Sequence, residues 1–273
     1  MIWSIPKKLI VGTVILLSLA LVFIFALLLS PYKYDEQNLR ERLQPPNSKH
    51  IFGTDGFGRD IFTRILFGGR ISFLIAALVT LTALIMGLSI GVVSGYCGGF
   101  VDEILMRITD IVLSLPSLVV SLAIIAAIGP SIPNLVLVLA ITSWPKYARM
   151  IRAMIMEIKN KDFILLLPLM GAGDRYIVLK HIIPNTIQPV LVLASFDFGR
   201  KVISIASLGF LGAGVQPPTP EWGTMIREGF SYVFTSPHLV VIPGIMATVS
   251  LVASNLVGEG LQSMLMGRPS VKL

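Results

Sequence analysis

Uncharged apolar runs alternate with charged segments along the chain, and their lengths predict helices that cross a membrane. At about 1.5 Å per residue, a helix needs about 20 apolar residues to cross a hydrocarbon core about 30 Å thick. The first run, residues 9–29, meets this length and is followed by no A-x-A-like cleavage site. It therefore predicts a permanent anchor rather than a signal peptide, with Lys7 and Lys8 holding the preceding residues inside.

Five further runs raise the prediction to six transmembrane helices in an all-α protein. Glycine and proline separate several of them: Gly95, Gly98 and Gly99 predict a turn after the second run, and the stretch 129–133 breaks the next long run in two. Proline lacks a backbone donor and disfavours helix in the residue before it, so this break is expected to be real. The six predicted spans are residues 9–29, 73–93, 110–128, 132–148, 184–211 and 238–257.

This pattern divides the chain into an anchor (1–30), an extracytoplasmic segment (31–70), a core of five helices (71–265) and a cytoplasmic tail (266–273). With the N-terminus inside, six spans place both chain ends and the segment 146–181 on the cytoplasmic side. The basic excess of 146–181 fits the positive-inside rule. The segment 31–70 is also basic, but long translocated segments follow that rule weakly.

Composition supports a membrane protein and argues against a soluble enzyme. Hydrophobic residues make up 54% of the chain and charged residues 14%, whereas soluble domains average about 25% charged. The formal charge of +7 is then expected to reflect basic cytoplasmic loops rather than nucleic-acid binding. The single cysteine, Cys97, excludes an internal disulfide and a cysteine-cluster metal site.

No motif in the chain predicts catalysis or a metal site. The three histidines fall in separate segments: His50, His181 and His238. The glycine-rich stretch 53–58 lacks both the alternating acids of a calcium loop and the Gly-Lys-Ser/Thr of a phosphate loop. Glycines at 209, 212 and 214 do not have dinucleotide-binding spacing. The predicted site residues are therefore not catalytic and hold no metal.

Residues 162–181, here called the Gly-turn segment, have the pattern of two short helices around a turn. Asp162 can cap the first helix, Gly171 and Gly173 allow a sharp turn, and Asp174 suits the start of a second helix because of the helix dipole. Such a compact unit at the membrane surface predicts a docking element for a partner. The alternative is a plain linker whose glycine spacing is coincidental.

Three charges interrupt the fifth predicted span: Asp197, Arg200 and Lys201. A charge at bilayer depth costs at least about 2.5 kcal/mol on insertion scales, so such residues face a partner, a cavity or a pathway. The i, i+3 and i, i+4 spacings place all three on one helix face. Two hypotheses stay open: an internal ion pair against a subunit interface, or a pathway lined by Arg200 or Lys201.

Several stretches resemble permease subunits of ATP-binding-cassette importers. Gly171 followed by His181 to Pro184 resembles the second half of the EAA loop, although the Glu-Ala-Ala positions hold leucines here and Pro168 follows them. Residues 50–72, 207–226 and 255–265 are similar to the dipeptide- or oligopeptide-type "C" permease of the peptide and nickel branch.

This resemblance implies a type I importer-like permease fold and a cytoplasmic coupling helix within residues 157–183. The residues it implies at the ATPase contact are Asp162, Gly171, Ala172, Gly173, Asp174 and Arg175. It also implies four kinds of surroundings: a second homologous permease, two cytoplasmic ATPase subunits that bind ATP and magnesium, an extracytoplasmic solute-binding protein, and the lipid bilayer. The chain itself would be neither an enzyme nor a cofactor carrier, and no nucleic acid is expected.

The implied function is transport of di- or oligopeptides across the cytoplasmic (inner) membrane of a prokaryote by a multi-pass permease. A permease for nickel or a metal chelate in the same branch is an alternative. A stand-alone secondary transporter is another, but it predicts inverted repeats that the two halves do not show.

Overall fold

The computed structural model describes residues 6–266, and within that range the chain forms helices and turns with no β-strand. The helices are α1 (Lys7–Ile24), α2 (Ala26–Leu29), α3 (Ile61–Cys97), α4 (Gly99–Ser114), α5 (Ser117–Ile128), α6 (Ile132–Ile141), α7 (Trp144–Lys159), α8 (Asp162–Leu169), α9 (Asp174–Ile177), α10 (Ile183–Phe210), α11 (Trp222–Phe230) and α12 (His238–Met266). A short 3₁₀ turn lies at Leu39–Glu41, and a π-helical turn at Val178–Ile182 joins α9 to α10. The predicted tail, 266–273, lies almost wholly outside the described residues.

Four helices among residues 6–266 are long and apolar enough to cross a membrane: α1, α3, the continuous helix Asp174–Phe210, and α12. A fifth candidate is the pair α4 and α5, which is bent by 89°. The predicted straight span over 110–128 is therefore wrong. Leu115 is extended between the two helices, as expected for a residue that precedes a proline, here Pro116.

The predicted fourth span, 132–148, is also not one helix. It breaks at Thr142 and Ser143, and α7 then continues to Lys159. Residues 146–159, the first part of the basic segment 146–181, therefore belong to a helix of the bundle. These residues are helical, and their apolar face packs on α3 because Tyr147, Ile151 and Ile155 are fully buried there.

Three glycines of α3 form the seam on which α7 lies. An added Cβ would meet Tyr147 Cβ at 2.3 Å from Gly87, the Ala148 carbonyl oxygen at 2.7 Å from Gly91, and Ile155 Cβ at 2.9 Å from Gly95. Small residues four apart allow membrane helices to approach this closely. Gly95 is thus inside α3 rather than in the predicted turn, which begins only at Gly98 (φ +68°).

Residue numbers rise together along this seam, so α7 runs parallel to the last part of α3. By contrast, α12 runs antiparallel to α10, where Ser254 Oγ accepts the Gly199 N–H at 3.0 Å. It also runs antiparallel to α1, where Gly260 packs on Leu9. The start of α1 and the ends of α3, α7 and α12 consequently share the end of the bundle that carries the Gly-turn segment. We call this the Gly-turn end.

The opposite end, here called the far end, carries residues 31–60 and 211–237. A cluster of aromatic rings in edge-to-face contact ties it together: Phe73 lies 5.0 Å from Phe23 and 5.3 Å from Phe198, measured between ring centres. Trp222 lies 5.6 Å from Phe23 and donates its indole N–H to the Ile65 carbonyl at 3.2 Å. Helices α1, α3, α10 and α11 therefore meet in one core.

Candidate functional site

The turn of the Gly-turn segment depends on one glycine. Gly171 has φ +84°, a left-handed conformation that costs other residues about 1–2 kcal/mol, whereas Gly173 has an ordinary φ of −75°. The Ala172 N–H returns to the Leu167 carbonyl at 3.0 Å and closes the turn. Pro168 falls near the end of α8, which continues only to Leu169.

Two details of the predicted segment are wrong. Asp162 does not cap α8; Lys161 occupies the cap position, and Asp162 is the first helical residue, where its charge suits the helix dipole. The second short helix does start at Asp174, as predicted. It does not end at His181, however, because it runs through a π-helical turn into α10 and forms one helix to Phe210.

The Gly-turn segment packs on the bundle through buried isoleucines and exposes apolar side chains at its tip. Ile164, Ile177 and Ile182 are buried against α7. Leu169 and Met170, at the tip of the turn, are 83% and 81% exposed. Exposed apolar groups held on a rigid support are typical of an interaction site.

Of the six residues predicted to contact a partner, all but Ala172 are exposed, and Ala172 is half-buried; the exposed five are Asp162, Gly171, Gly173, Asp174 and Arg175.

Hydrogen bonds tie the segment to two other helices. Tyr96, at the end of α3, donates its hydroxyl hydrogen to Asp174 at 2.6 Å. Lys159, at the end of α7, donates to the Tyr96 carbonyl at 2.7 Å. The segment is therefore joined to α3 directly and to α7 through Tyr96, besides being continuous with α10. Sequence spacing gave no sign of this link, because Tyr96 and Asp174 are 78 positions apart.

The three charges of α10 do not pair with one another, which rules out the predicted internal ion pair. The Asp197 carboxylate instead accepts hydrogen bonds from Lys146 Nζ and, at 3.0 Å, from the Tyr147 hydroxyl. Lys201 Nζ donates to Ser143 Oγ. Asp197 and Lys201 are 1% and 7% exposed, whereas Arg200 is exposed, so the three do not share one environment.

Lys146 and Lys201 line a cavity of about 220 Å³. It lies where the bend between α4 and α5 meets the break between α6 and α7. Sequence reasoning missed Lys146 as a partner of Asp197 because the two residues lie 51 positions apart, in different predicted spans.

A second charged cluster closes the far end. Arg59 Nε lies 2.5 Å from an Asp55 oxygen, and one Glu228 oxygen lies 2.8 Å from both Arg59 and Arg64. Both arginine side chains are at least 97% buried: the exposed fraction is 3% for Arg59 and 1% for Arg64. Helix α3 starts at Ile61 and carries Arg64 into the interior.

Helix α3 is capped at this end by Asp60, whose carboxylate accepts the Thr63 N–H at 2.8 Å. The other Asp60 oxygen lies 2.9 Å from His50 Nδ1, so His50 and Asp60 join the predicted glycine-rich loop to the helix. Glu221 is fully buried beside Ser72, further along α3, and caps α11 with both carboxylate oxygens. Burial raises the pKa of this carboxyl above its ordinary value.

Comparison with known proteins identifies the family. Residues 87–270 match the model of the binding-protein-dependent transport system inner membrane component. Residues 7–46 match the N-terminal transmembrane domain of oligopeptide transport permease C.

Curated relatives match over nearly their full length. The dipeptide transport system permease protein DppC of Alkalihalophilus pseudofirmus is 39% identical over 259 residues, which cover 95% of this chain and 85% of the relative. DppC of Haemophilus influenzae is 36% identical, with 93% and 88% covered. The glutathione transport system permease protein GsiD of Pectobacterium atrosepticum is 37% identical, with 93% and 84% covered.

Solved structures agree on the fold. The inward-facing MetNI methionine ABC transporter superposes with a TM-score of 0.60 at 18% identity, covering 74% of this chain and 97% of that one. An amino acid ABC transporter gives 0.57 at 18% identity, covering 74% and 94%. Since the family model spans most of the helical core, the chain belongs to the binding-protein-dependent transport system inner membrane components, the non-catalytic multi-pass permease subunits of ATP-binding-cassette importers.

Proposed function

We propose that this chain moves di- or oligopeptides across the cytoplasmic (inner) membrane of a prokaryote, energised by separate ATPases. The observation that carries this proposal is 36–39% identity, over at least 93% of the chain, to permeases named for dipeptides and tripeptides. The relatives reported above are named for peptides or glutathione, so nickel or a metal chelate remains only an alternative outcome of the test.

The working complex in this proposal contains a second homologous permease, two cytoplasmic ATPase subunits that bind ATP and magnesium, and an extracytoplasmic solute-binding protein. The Gly-turn segment docks on an ATPase and faces the cytoplasm. Its exposed tip at Leu169 and Met170, on the base formed by Ile164 and Ile177, supports this role. Asp162, Gly171, Ala172, Gly173, Asp174 and Arg175 form the surrounding contact surface.

ATP binding closes the ATPases and shifts the docked segment, and the helices then switch between two arrangements, as expected for a bistable bundle biased by a ligand-driven partner. In this proposal Asp197 and Lys201, which are buried toward α7, lie on the pathway side of α10. Exposed Arg200 faces the second permease or lipid.

Transport in proteoliposomes tests the function. The full importer, reconstituted with ATP inside and the loaded binding protein outside, is expected to accumulate labelled dipeptide but not labelled nickel. Omission of this chain should abolish accumulation. Nickel accumulation without dipeptide accumulation would favour the alternative, and dipeptide accumulation without this chain would contradict the proposal.

A variant at the tip tests docking. Leu169→Asp places a charge in an apolar contact, and we expect less ATPase to be recovered with the purified permease. Leu169→Met keeps the contact apolar and serves as the matched control. Equal ATPase recovery with both variants would contradict docking at this tip.

A further inference from the structure

We propose that the cavity between α4, α5, α6, α7 and α10 binds the terminal carboxylate of the transported peptide through Lys146 and Lys201. This inference rests on the proposed function and adds the part of the substrate that is recognised. The cavity has a volume of about 220 Å³, and its lining includes Leu115, Ser117, Thr142, Ser143, Lys146 and Lys201. Sites for drug-sized ligands are typically about 300–1,000 Å³, so this cavity fits one end of a peptide rather than all of it.

The cavity lies near the middle of the bundle. Helix α7 starts beside Gly87, where an added Cβ would be 2.9 Å from the Trp144 carbonyl oxygen. Gly87 is within about one helical turn of the centre of the uncharged stretch 71–97. On α10, Lys201 follows Gly199, which bonds to Ser254 near the middle of α12. A ligand in the cavity would therefore lie near the middle of the membrane, as a ligand in transit across it does.

The charges in and beside the cavity leave one positive charge uncompensated. Lys146 and Lys201 line the cavity with two ammonium groups. Asp197 is not part of the lining but pairs with Lys146 and supplies one carboxylate. The neighbouring pair of Arg149 and Asp110 balances itself and is largely exposed. Since a buried uncompensated charge is costly, this excess favours an anionic ligand over a metal cation.

Backbone groups at the two helix breaks contribute less than the lysines. Helices α5 and α7 begin at the cavity without a side-chain cap, so their first N–H groups are available to an anion, except at Pro145, which has none. Helices α4 and α6 end at the same breaks, however, and their carbonyl ends oppose the dipoles of α5 and α7. The two ammonium groups therefore determine the sign of the site, because the hydroxyls of Thr142 and Ser143 already donate to backbone carbonyls of α6.

An arriving carboxylate can be accommodated by exchange of partners. Among residues 6–266, Lys201 donates only to the neutral Ser143 hydroxyl, so it can turn to a charged acceptor without leaving a charge unpaired. The Lys146 side chain is 30% exposed and already contacts Asp197. It can share its three hydrogens between Asp197 and the ligand. Lys201 is thus the main ligand-binding group, and Lys146 the second.

The test compares alanyl-alanine with its C-terminal amide in proteoliposomes that contain the complete importer. The wild-type chain and four variants use the same binding protein, so the preference of that protein cancels in the comparison. Lys201→Gln is expected to lower uptake of the free acid about tenfold, the effect of losing one charge-assisted hydrogen bond, and to leave uptake of the amide nearly unchanged. Lys201→Arg should retain the preference for the acid.

Two further variants separate binding from assembly. Lys146→Gln combined with Asp197→Asn removes a donor without leaving a buried charge, and it should also reduce the preference for the acid. Arg149→Gln removes a positive charge one turn away, outside the cavity, and should keep the wild-type ratio of acid to amide uptake. An unchanged ratio in Lys201→Gln and in the double variant would overturn the proposal, as would an equal loss of both substrates.

Thermal unfolding of the solubilised complex without binding protein separates this inference from the proposed function. Alanyl-alanine should raise the unfolding midpoint of the wild-type complex but not of Lys201→Gln, and the amide should raise neither. If acetate or inorganic phosphate raises the midpoint as much as the dipeptide, the site is a general anion site and the assignment is wrong. If the wild type transports no dipeptide, the proposed function fails, while an acid-specific shift that Lys201→Gln abolishes still supports the cavity.

Discussion

The Tyr96 hydroxyl lies 2.6 Å from a carboxylate oxygen of Asp174 and joins the last turn of α3 to the first turn of the helix that becomes α10. The Tyr96 ring packs against the apolar cluster between α3 and α7, and its hydroxyl adds a polar link between the Gly-turn segment and the bundle. Its removal leaves the packing intact and tests what the link contributes.

We predict that Tyr96→Phe lowers the number of peptides transported per ATP hydrolysed. Asp174 is exposed, so the bond is worth only about 0.5–1 kcal/mol, which corresponds to a two- to fivefold change. ATPase and uptake rates measured on the same proteoliposomes give the ratio. Tyr176→Phe is the control, because within residues 6–266 its hydroxyl has no hydrogen-bond partner. A wild-type ratio in Tyr96→Phe would show that the link does not take part in coupling.

Gly171→Val should disturb the turn itself. A β-branched residue at φ +84° is strained by at least about 1–2 kcal/mol, although space around the position is open. We expect ATP hydrolysis to continue while uptake falls and the protein still inserts into the membrane. Gly173→Val provides the comparison and should cost less, because φ −75° and ψ 154° suit valine. Equal losses in both variants would mean that backbone strain is not the cause.

Gly91→Leu should prevent α7 from seating on α3. Even the first side-chain carbon would approach the Ala148 carbonyl oxygen to 2.7 Å, and overpacking of this kind costs about 1–3 kcal/mol or more. The yield of monodisperse complex and its thermal midpoint are the measurements. Ser89→Leu adds similar bulk on the exposed side of the same helix and should be tolerated. Normal yield from Gly91→Leu would contradict the close packing.

Glu228→Gln should destabilise the far end. It leaves two buried guanidinium groups with only Asp55 to balance them, and breaking a buried ion pair costs about 3–5 kcal/mol. Glu228 is 19% exposed, so we expect the lower part of that range, read as a drop in the thermal midpoint of the complex. Glu103→Gln, in an exposed pair with Arg107, should change the midpoint little. An equal drop in both variants would contradict the role assigned to the cluster.

Hydropathy predicted the existence of the membrane helices but not where they start, bend or end. Residues 71–97 are uncharged, whereas α3 begins ten positions earlier at Ile61, because Glu228 supplies the partner that allows Arg64 to be buried. The break at Thr142 and Ser143 lies inside an uncharged run, where no change in hydropathy marks the end of a helix. Charges and breaks within a span depend on tertiary partners, and one sequence does not show these partners.

In the candidate site, too, local features were predictable from the sequence and tertiary partners were not. The glycine turn was predictable because a left-handed residue leaves a direct mark on the sequence. The partners of Asp197 were not predictable: Lys146 lies 51 positions away, and helical spacing pointed to Arg200 and Lys201 instead. The family resemblance placed the segment, while the geometry supplied the contacts that it makes.

The two ends of the bundle are held with unequal strength. Buried guanidinium and carboxylate groups lock Arg59, Arg64 and Glu228 at the far end, whereas an exposed hydrogen bond and an apolar seat hold Asp174 at the other. We therefore expect the helices to pivot about the far end during the switch. A small displacement of the Gly turn would then move the helix halves at the Gly-turn end more than those at the far end.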